Sequence, residues 1–280
     1  MNSFRVWARM IKLPHTIFAL PFALASGILA SRTVSVTTSQ WVAVVLAVLC
    51  ARSTAMSFNR VVDRHIDAAN PRTAGREIPT GQLSLRAGLL FTAATGLAFL
   101  AVCAMFGSLT LALAPVALIL VYGYSLTKRF TAWCHVVLGC SLALAPTGTW
   151  IALTGTYSAV PALISIAVAT WVAGFDILYA TQDAEFDRKA GLYSVPASLG
   201  IKSALWLSSG LHAVTVAALA SLPLFAPLGW PYAVGWLAIA TVLGVEHSIV
   251  TSDDLRRIDR AFFDLNGVVS LVFLLAVWLA

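Results

Sequence analysis

Nine apolar stretches, each close to the length of a membrane-spanning helix, dominate this sequence of 280 residues. A helix needs about 20 apolar residues to cross the hydrocarbon core of a bilayer. Because backbone polar groups in the bilayer must be satisfied within each segment, the stretches predict an all-α polytopic membrane bundle of about nine transmembrane helices. The stretches lie at 14–31, 40–62, 87–105, 109–124, 133–154, 161–181, 203–221, 231–249 and 263–280.

The composition supports a membrane protein and argues against a soluble enzyme. Hydrophobic residues make up 59% of the chain and charged residues 11%, whereas soluble domains carry about 25% charged residues. A net charge of +6 would indicate a nucleic-acid partner in a soluble protein. Here the positive-inside rule accounts for it, so we expect the lipid bilayer as partner and no nucleic acid. The four cysteines lie in apolar runs without metal-ligand spacing and indicate no disulfide framework.

Basic residues are predicted to lie almost entirely on one side of the bundle. If the helices alternate in direction, the opposite set of connections holds only Arg32. The positive-inside rule assigns the basic side to the cytoplasm, which predicts a bacterial-type inner (plasma) membrane protein with its active site on the cytoplasmic face. Residues 1–12 are predicted to form a short amphipathic helix at that surface. The basic set comprises Arg5, Arg9, Lys12, the stretch from Arg60 to Arg86, Lys128, Arg129, Arg188, Lys189, Arg256, Arg257 and Arg260.

Two polar loops on the predicted cytoplasmic side share one pattern, in which an acidic helix end is followed by basic residues and a Pro/Gly turn. The first loop covers 63–86 and the second 182–202. A four-residue step on a helix advances by about 400°, so acidic residues at that spacing form one stripe. The likeness of the loops predicts an internal pseudo-repeat, about 13–130 and 131–250, within a single transmembrane domain of residues 1–280. The stripes are Asn59, Asp63 and Asp67 in the first half, and Asp176, Asp183 and Asp187 in the second.

Carboxylates four residues apart on a helix repel one another, so these stripes call for a positive partner. Mg²⁺ prefers oxygen ligands and usually combines one or two carboxylates with substrate phosphates. A bundle that holds a diphosphate at the membrane surface implies a substrate with a lipid tail. The outer phosphate oxygens would be neutralised by nearby basic residues, for which the candidates are Arg72, Arg76, Lys128, Arg129, Arg188 and Lys189.

These residues resemble the UbiA superfamily of intramembrane aromatic prenyltransferases, in particular its 4-hydroxybenzoate polyprenyltransferase-like members. Asn59-x3-Asp63-x3-Asp67, followed by Arg72 and Arg76, is similar to the first aspartate-rich motif of that family. The second motif is matched by Asp176-x2-Tyr179-Ala180-x2-Asp183-x3-Asp187. Weaker matches lie at 13–24, at Tyr124 with Thr127-Lys128-Arg129, and at Phe262-Phe263 with Asn266. The resemblance runs from about residue 12 to 270 and implies the UbiA-like fold.

The resemblance implies Mg²⁺-dependent transfer of a polyprenyl group from polyprenyl diphosphate to an aromatic acid in quinone biosynthesis. By carry-over, Asp63, Asp67, Asp183 and Asp187 would be the catalytic, metal-binding residues. The substrate-binding residues would be Asn59, Arg52, Arg72, Arg76, Tyr124, Lys128 and Tyr179. Arg52, two turns before Asn59, would orient the acceptor carboxylate or an acidic side chain such as Asp176. One departure is Arg60, where many members have Asp.

Several alternatives remain open at this point. The acceptor could be 4-hydroxybenzoate, in ubiquinone biosynthesis, or a dihydroxynaphthoate, in menaquinone biosynthesis.

A secondary transporter would also place acids in the membrane, but at mid-span and with broken helices in both halves. CDP-alcohol phosphotransferases need one contiguous aspartate motif that neither loop supplies. Asp63 and Asp67 could also form local ion pairs with Arg60 and Arg64. The sequence indicates neither the prenyl chain length nor the oligomeric state.

Overall fold

The chain folds as a bundle of helices, and the predicted all-α architecture is confirmed. The computed structural model describes residues 3–250, 258 and 261–280, and these contain no strands. Eight helical segments in them are long and apolar enough to cross a membrane. A ninth, Phe263–Leu279, is apolar but shorter. The eight are Leu13–Ser31, Thr38–Val62, Leu85–Ala104, Ser108–Thr127, Cys134–Thr154, Ala159–Lys189, Ile201–Leu224 and Trp230–Ile249.

Shorter helical elements lie between the spans. The first half comprises α1 (Ser3–Met10), a 3-10 helix (Leu13–Phe18), α2 (Leu20–Ser31), α3 (Thr38–Val62), α4 (Arg64–Ala69), α5 (Leu85–Ala104) and α6 (Ser108–Thr127). The second half begins with α7 (Cys134–Thr154), α8 (Ala159–Ala180), a 3-10 turn (Thr181–Asp183), α9 (Ala184–Lys189) and α10 (Val195–Leu199). It ends with α11 (Ile201–Ser221), a 3-10 turn (Leu222–Leu224), α12 (Trp230–Ile249), a π-helical turn (Ala261–Leu265) and α13 (Asn266–Leu279).

Local sequence explains where several helices begin and end. Thr37 and Gln40 form a capping box at the start of α3, which satisfies backbone N–H groups that have no partner within the helix. Gly155 adopts φ 69° after the last residue of α7, a left-handed conformation that glycine reaches without strain. The short stretch predicted at 109–124 is one continuous helix with Pro115 inside it, as neighbouring helices in a membrane bundle permit.

The core is centred on α8, where Trp171 is fully buried. Its ring packs against Phe22 of α2 and Phe175 of α8. A buried hydrogen-bond chain joins three helices here. The Trp171 indole donates to Asn266 Oδ1 at 2.6 Å, and Asn266 Nδ2 donates to Glu246 Oε1 at 2.8 Å. Inter-helical hydrogen bonds of this kind stabilise bundles in which apolar burial gives no preference for protein over lipid.

The two ends of the bundle differ in charge, as the alternation of helices predicts. At one end Arg32 donates to the carbonyls of Pro227 and Val277, at 2.8 and 3.0 Å. At the other end the loops that follow α3, α6 and α8 meet. The N-terminal helix α1 packs there through Trp7, whose ring stacks on Phe91 at 4.7 Å. The predicted basic run of Arg256, Arg257 and Arg260 lies outside the described residues.

Candidate active site

Both acidic stripes straddle a break in a helix. Asp63 follows α3 with φ −90° and ψ 1°, and Asp183 precedes α9 with φ −102° and ψ 0°. Each break is followed by a six-residue helix that carries the second aspartate, Asp67 in α4 and Asp187 in α9. The stripes are therefore not on continuous helices as expected. The matching breaks in the two halves are what an internal repeat would produce, and that repeat stays a prediction.

The first cluster is buried and neutralised by basic residues from other segments. Asp63 is 1% exposed and lies 2.8 Å from Lys128 Nζ and 2.7 Å from Arg129 Nη2. Asn59 Nδ2 also donates to Asp63, at 3.0 Å. Asp67 is 3% exposed and pairs with Arg76 at 2.6 Å. The first stripe is therefore held by residues that follow it in the chain and by the end of α6.

The alternative of local ion pairs is wrong for this cluster. Arg64 donates to the carbonyl of Val61 at 3.0 Å, and Arg60 donates to Asn59 Oδ1 at 3.3 Å. Arg60 is buried, as are both aspartates. The local pairs would be Arg60 with Asp63 and Arg64 with Asp67, each three residues apart, but both arginines donate to other groups.

The second cluster is bound by residues of the first loop. Arg72 contacts both carboxylate oxygens of Asp183, with its Nε 2.9 Å from Oδ1. Asn70 Nδ2 donates to the same Asp183 oxygen at 2.9 Å, and Arg72 Nη1 donates to the Tyr179 hydroxyl at 2.9 Å. Asp187 is hydrogen-bonded by Ser194. The two acidic clusters, which are far apart in the sequence, therefore lie against each other.

The donor set of this site suits a hard divalent cation. Within the described residues, no three His, Cys, Asp or Glu side chains are grouped closely enough to hold a metal ion. The carboxylates pair with basic side chains instead. Asp67 Oδ2, however, is buried and has no hydrogen-bond partner. An unsatisfied buried carboxylate oxygen is costly, and carboxylate oxygens are the ligands that Mg²⁺ prefers. The residues present fit such an ion.

Comparison with known proteins now decides the family. A sequence profile of the UbiA prenyltransferase family matches residues 19–275. The chain belongs to the UbiA prenyltransferase family. It is therefore an integral membrane enzyme, a prenyltransferase, and the transporter alternative gains no support.

Individual relatives of the UbiA family agree with this assignment. The apo structure of a UbiA homolog from Aeropyrum pernix K1 is 33% identical with a TM-score of 0.85, and the match covers 92% of this chain and 95% of that chain. The 4-hydroxybenzoate octaprenyltransferase of Sodalis glossinidius is 29% identical over 236 residues, 82% of this chain and 79% of the relative. A UbiA homolog from Archaeoglobus fulgidus bound to GPP and Mg²⁺ shares the fold at 22% identity, with a TM-score of 0.76 over 98% of both chains.

Within the described residues Arg52 does not pair with an acidic side chain of the site, contrary to one of its two predicted roles. Its other predicted role, binding the acceptor carboxylate, stays a prediction. Arg52 donates to the carbonyls of Ile11 and Lys12, at 2.8 and 3.0 Å, and so holds the turn between α1 and the first span. Lys12 has φ 46°, a left-handed conformation that is strained for a residue with a side chain. Asp176, the suggested partner of Arg52, pairs with His135 instead.

Lys12 is a residue of the site that sequence reasoning missed. Its Nζ lies 5.9 Å from the centre of the Tyr179 ring, which Arg72 also faces at 5.0 Å. Burial lowers the pKa of Lys12 to about 8, and the guanidinium groups of Arg60, Arg76, Arg72 and Arg52 add to this effect. The available signal was its position directly before the first span, at the end of the predicted surface helix. An ammonium group in this cationic region is suited to an anionic substrate.

The remaining predicted residues divide into two groups. Tyr124 lies within electrostatic range of Asp63, Arg60 and Arg52, and its role in substrate binding stays a prediction. Arg188 and Lys189 turn away from the carboxylates. The Arg188 Nε donates to the carbonyl of Ala197 at 3.4 Å, and Lys189 pairs with the exposed Glu185 at 2.6 Å. The expectation that these two basic residues neutralise phosphate is therefore not supported by their contacts.

Proposed function

We propose that this chain transfers a polyprenyl group from polyprenyl diphosphate to an aromatic acid of the 4-hydroxybenzoate type, with Mg²⁺, in quinone biosynthesis. The relatives named for 4-hydroxybenzoate octaprenyl transfer support the acceptor class. The GPP and Mg²⁺ of the Archaeoglobus homolog support the donor and the ion. The basic end of the bundle supports a location at the cytoplasmic face of a bacterial-type plasma membrane.

The observation that carries the proposal is the contact of Arg72 with Asp183, which joins the first loop to the second cluster. A diphosphate has charge on both phosphates, and a site for it needs cations and acids within a few ångströms of each other. Arg72, Arg76 and Lys128 each lie within ion-pair distance of an acidic residue. These side chains can exchange an aspartate for a phosphate oxygen without moving far.

Asp63, Asp67, Asp183 and Asp187 would hold Mg²⁺ through their carboxylate oxygens. When bound, Mg²⁺ neutralises the charge that develops on the leaving diphosphate. The guanidinium groups of Arg72 and Arg76 stabilise the same charge directly. The Tyr179 ring presents its π face to Lys12 and Arg72, so it can stabilise positive charge on the allylic carbon.

Reconstituted vesicles supplied with Mg²⁺, a polyprenyl diphosphate and 4-hydroxybenzoate test the proposal, with the prenylated product identified by its mass. We expect turnover by the wild type, its loss when Mg²⁺ is chelated, and its loss in Asp63→Ala and Asp187→Ala. Glu185→Ala is the matched control, because Glu185 shares α9 with Asp187 but is exposed and pairs with the exposed Lys189. Full activity in either aspartate variant would refute the two-cluster site.

The acceptor is tested by replacing 4-hydroxybenzoate with a dihydroxynaphthoate at a fixed donor concentration. We expect a higher kcat/KM for the hydroxybenzoate. A preference for the naphthoate would move the protein to menaquinone biosynthesis and leave the two-cluster site intact.

A further inference from the structure

The buried His135 and the half-buried Asp176 form a pair next to the acidic clusters, and the roles assigned above include neither. His135 Nδ1 lies 2.6 Å from Asp176 Oδ2. Asp176 is the one charged residue of α8, and His135 is the second residue of α7. A lone acid within a membrane-spanning helix is costly and marks a functional position by default.

The hydrogen bonds of His135 determine its tautomer. The backbone N–H of Val195 donates to Nε2 at 3.3 Å, so this nitrogen is the acceptor. A neutral imidazole with an accepting Nε2 carries its proton on Nδ1, and that proton is then donated to Asp176. Val195 follows Ser194, the residue that hydrogen-bonds Asp187. The imidazole is therefore held on both sides, by the loop of the second cluster and by Asp176.

The Asp176 carboxylate remains partly accessible. Its side chain is 26% exposed, although its neighbours Phe175 and Ile177 are buried. Asp176 precedes Asp183 by seven residues, about two turns that end in the 3-10 turn Thr181–Asp183, and so lies about 10 Å deeper in the bundle. Tyr179 lies between them along α8. The partly exposed carboxylate thus lies at the depth at which the acceptor ring would meet the prenyl carbon that separates from the diphosphate.

The proposed reaction requires a proton acceptor at that level. The carbon–oxygen bond of the prenyl diphosphate breaks, and its electron pair leaves with the diphosphate. A π pair of the ring forms the new carbon–carbon bond ortho to the hydroxyl. The same ring carbon then loses its hydrogen as a proton, and the pair of that C–H bond restores aromaticity. A positioned carboxylate contributes roughly 10²–10⁴-fold to such a step.

We propose that Asp176 accepts the proton that the acceptor ring loses, and that His135 is the positioning residue that holds the Asp176 carboxylate for this step. The inference rests on the proposed function. His135 satisfies Oδ2 and prevents rotation of the carboxylate, so that Oδ1 points at the ring. Without the imidazole, the carboxylate turns toward other donors and proton loss becomes slow.

The test measures kcat, KM and the isotope effect of 4-hydroxybenzoate deuterated at the ring positions ortho to the hydroxyl. We expect His135→Leu to lower kcat by about 100-fold, the order of effect that a misplaced catalytic group produces, with little change in KM. We also expect a primary isotope effect that the wild type lacks, because proton loss then limits the rate. His135→Asn places an amide donor near the position of Nδ1, so it should restore most of kcat and remove the isotope effect.

His212→Asn is the matched control. His212 is equally buried and contacts α8 at the carbonyl of Trp171, on the side of Gly174. A general loss of packing would lower the amount of folded protein in both variants without an isotope effect. Wild-type kcat and no isotope effect in His135→Leu would overturn this inference alone. An inactive wild type would overturn the proposed function, and this inference with it.

Discussion

Gly139 lies where α7 packs closely against the backbone of α8, and its replacement tests the helix packing that positions the site. A Cβ added there would lie 2.1 Å from the carbonyl oxygen of Ala169. Since carbon and oxygen in contact are normally about 3.3 Å apart, the helices must separate by about 1 Å. The obstacle is backbone, which cannot rotate away as a side chain could.

The expected cost of Gly139→Ala follows from two opposing terms. Overpacking costs about 3 kcal/mol when the neighbour cannot move aside, and alanine recovers about 1 kcal/mol of helix propensity. We therefore expect a net loss of about 2 kcal/mol. Gly148→Ala, in the same helix, meets no atom within 4 Å and should be neutral or gain up to about 1 kcal/mol.

Titration with SDS in mixed micelles, followed by the fluorescence of the nine tryptophans, measures this free energy of unfolding. Gly139 lies one turn after His135 on the same face of α7, so the separation should also move His135 from Asp176 and reduce turnover. Equal stability of the two glycine variants would refute the close helix contact. If Gly139→Ala is less stable but turns over at the full rate, the helix contact at Gly139 does not affect the position of His135 in the site.

Two further predictions concern charge and buried polarity. The Lys12 ammonium, whose pKa is lowered to about 8, loses its charge as the pH rises through 8. Calorimetry should therefore show that the affinity of the wild type for pyrophosphate falls between about pH 7 and pH 9 relative to that of Lys12→Arg, which stays charged. If the two proteins show the same pH dependence of affinity, Lys12 does not contribute to anion binding. Asn266→Ala removes the partner of both the Trp171 indole and Glu246. We expect it to lower the unfolding free energy by about 2 kcal/mol in the SDS titration, given about 1–3 kcal/mol per unsatisfied buried group; wild-type stability would show that the hydrogen-bond chain contributes little.

The number and order of the helices were predictable because the bilayer restricts what a spanning segment can be. A stretch of about 20 apolar residues has one low-energy conformation in hydrocarbon, and composition alone identifies it. The two acidic stripes could be recognised in the sequence because acidic residues are rare in a chain of membrane-spanning helices. The structure departs from the predicted nine spans in one helix, the last, at residues 263–279. This helix is shorter than a full span because the apolar stretch begins in a π-helical turn.

The partners of the charged residues were not predictable in the same way. Local spacing offered Arg60 to Asp63 and Arg64 to Asp67, but Lys128 and Arg129 bind Asp63, and Arg76 binds Asp67. Local spacing also gave no indication of which acidic residue Arg72 contacts. In the structure it crosses to Asp183, 111 positions later.

What the sequence by itself determined is a membrane-spanning helical bundle with acidic and basic residues gathered at one end, because hydropathy and charge act along each segment separately. Only the tertiary structure decided which cation meets which carboxylate, that Arg52 holds the N-terminal turn, and that Asp176 meets His135. The physical reason is that a buried ion pair forms wherever two helices bring opposite charges within about 3 Å in a low-dielectric interior. That distance depends on how the helices pack against one another, and no pattern within a single helix contains it.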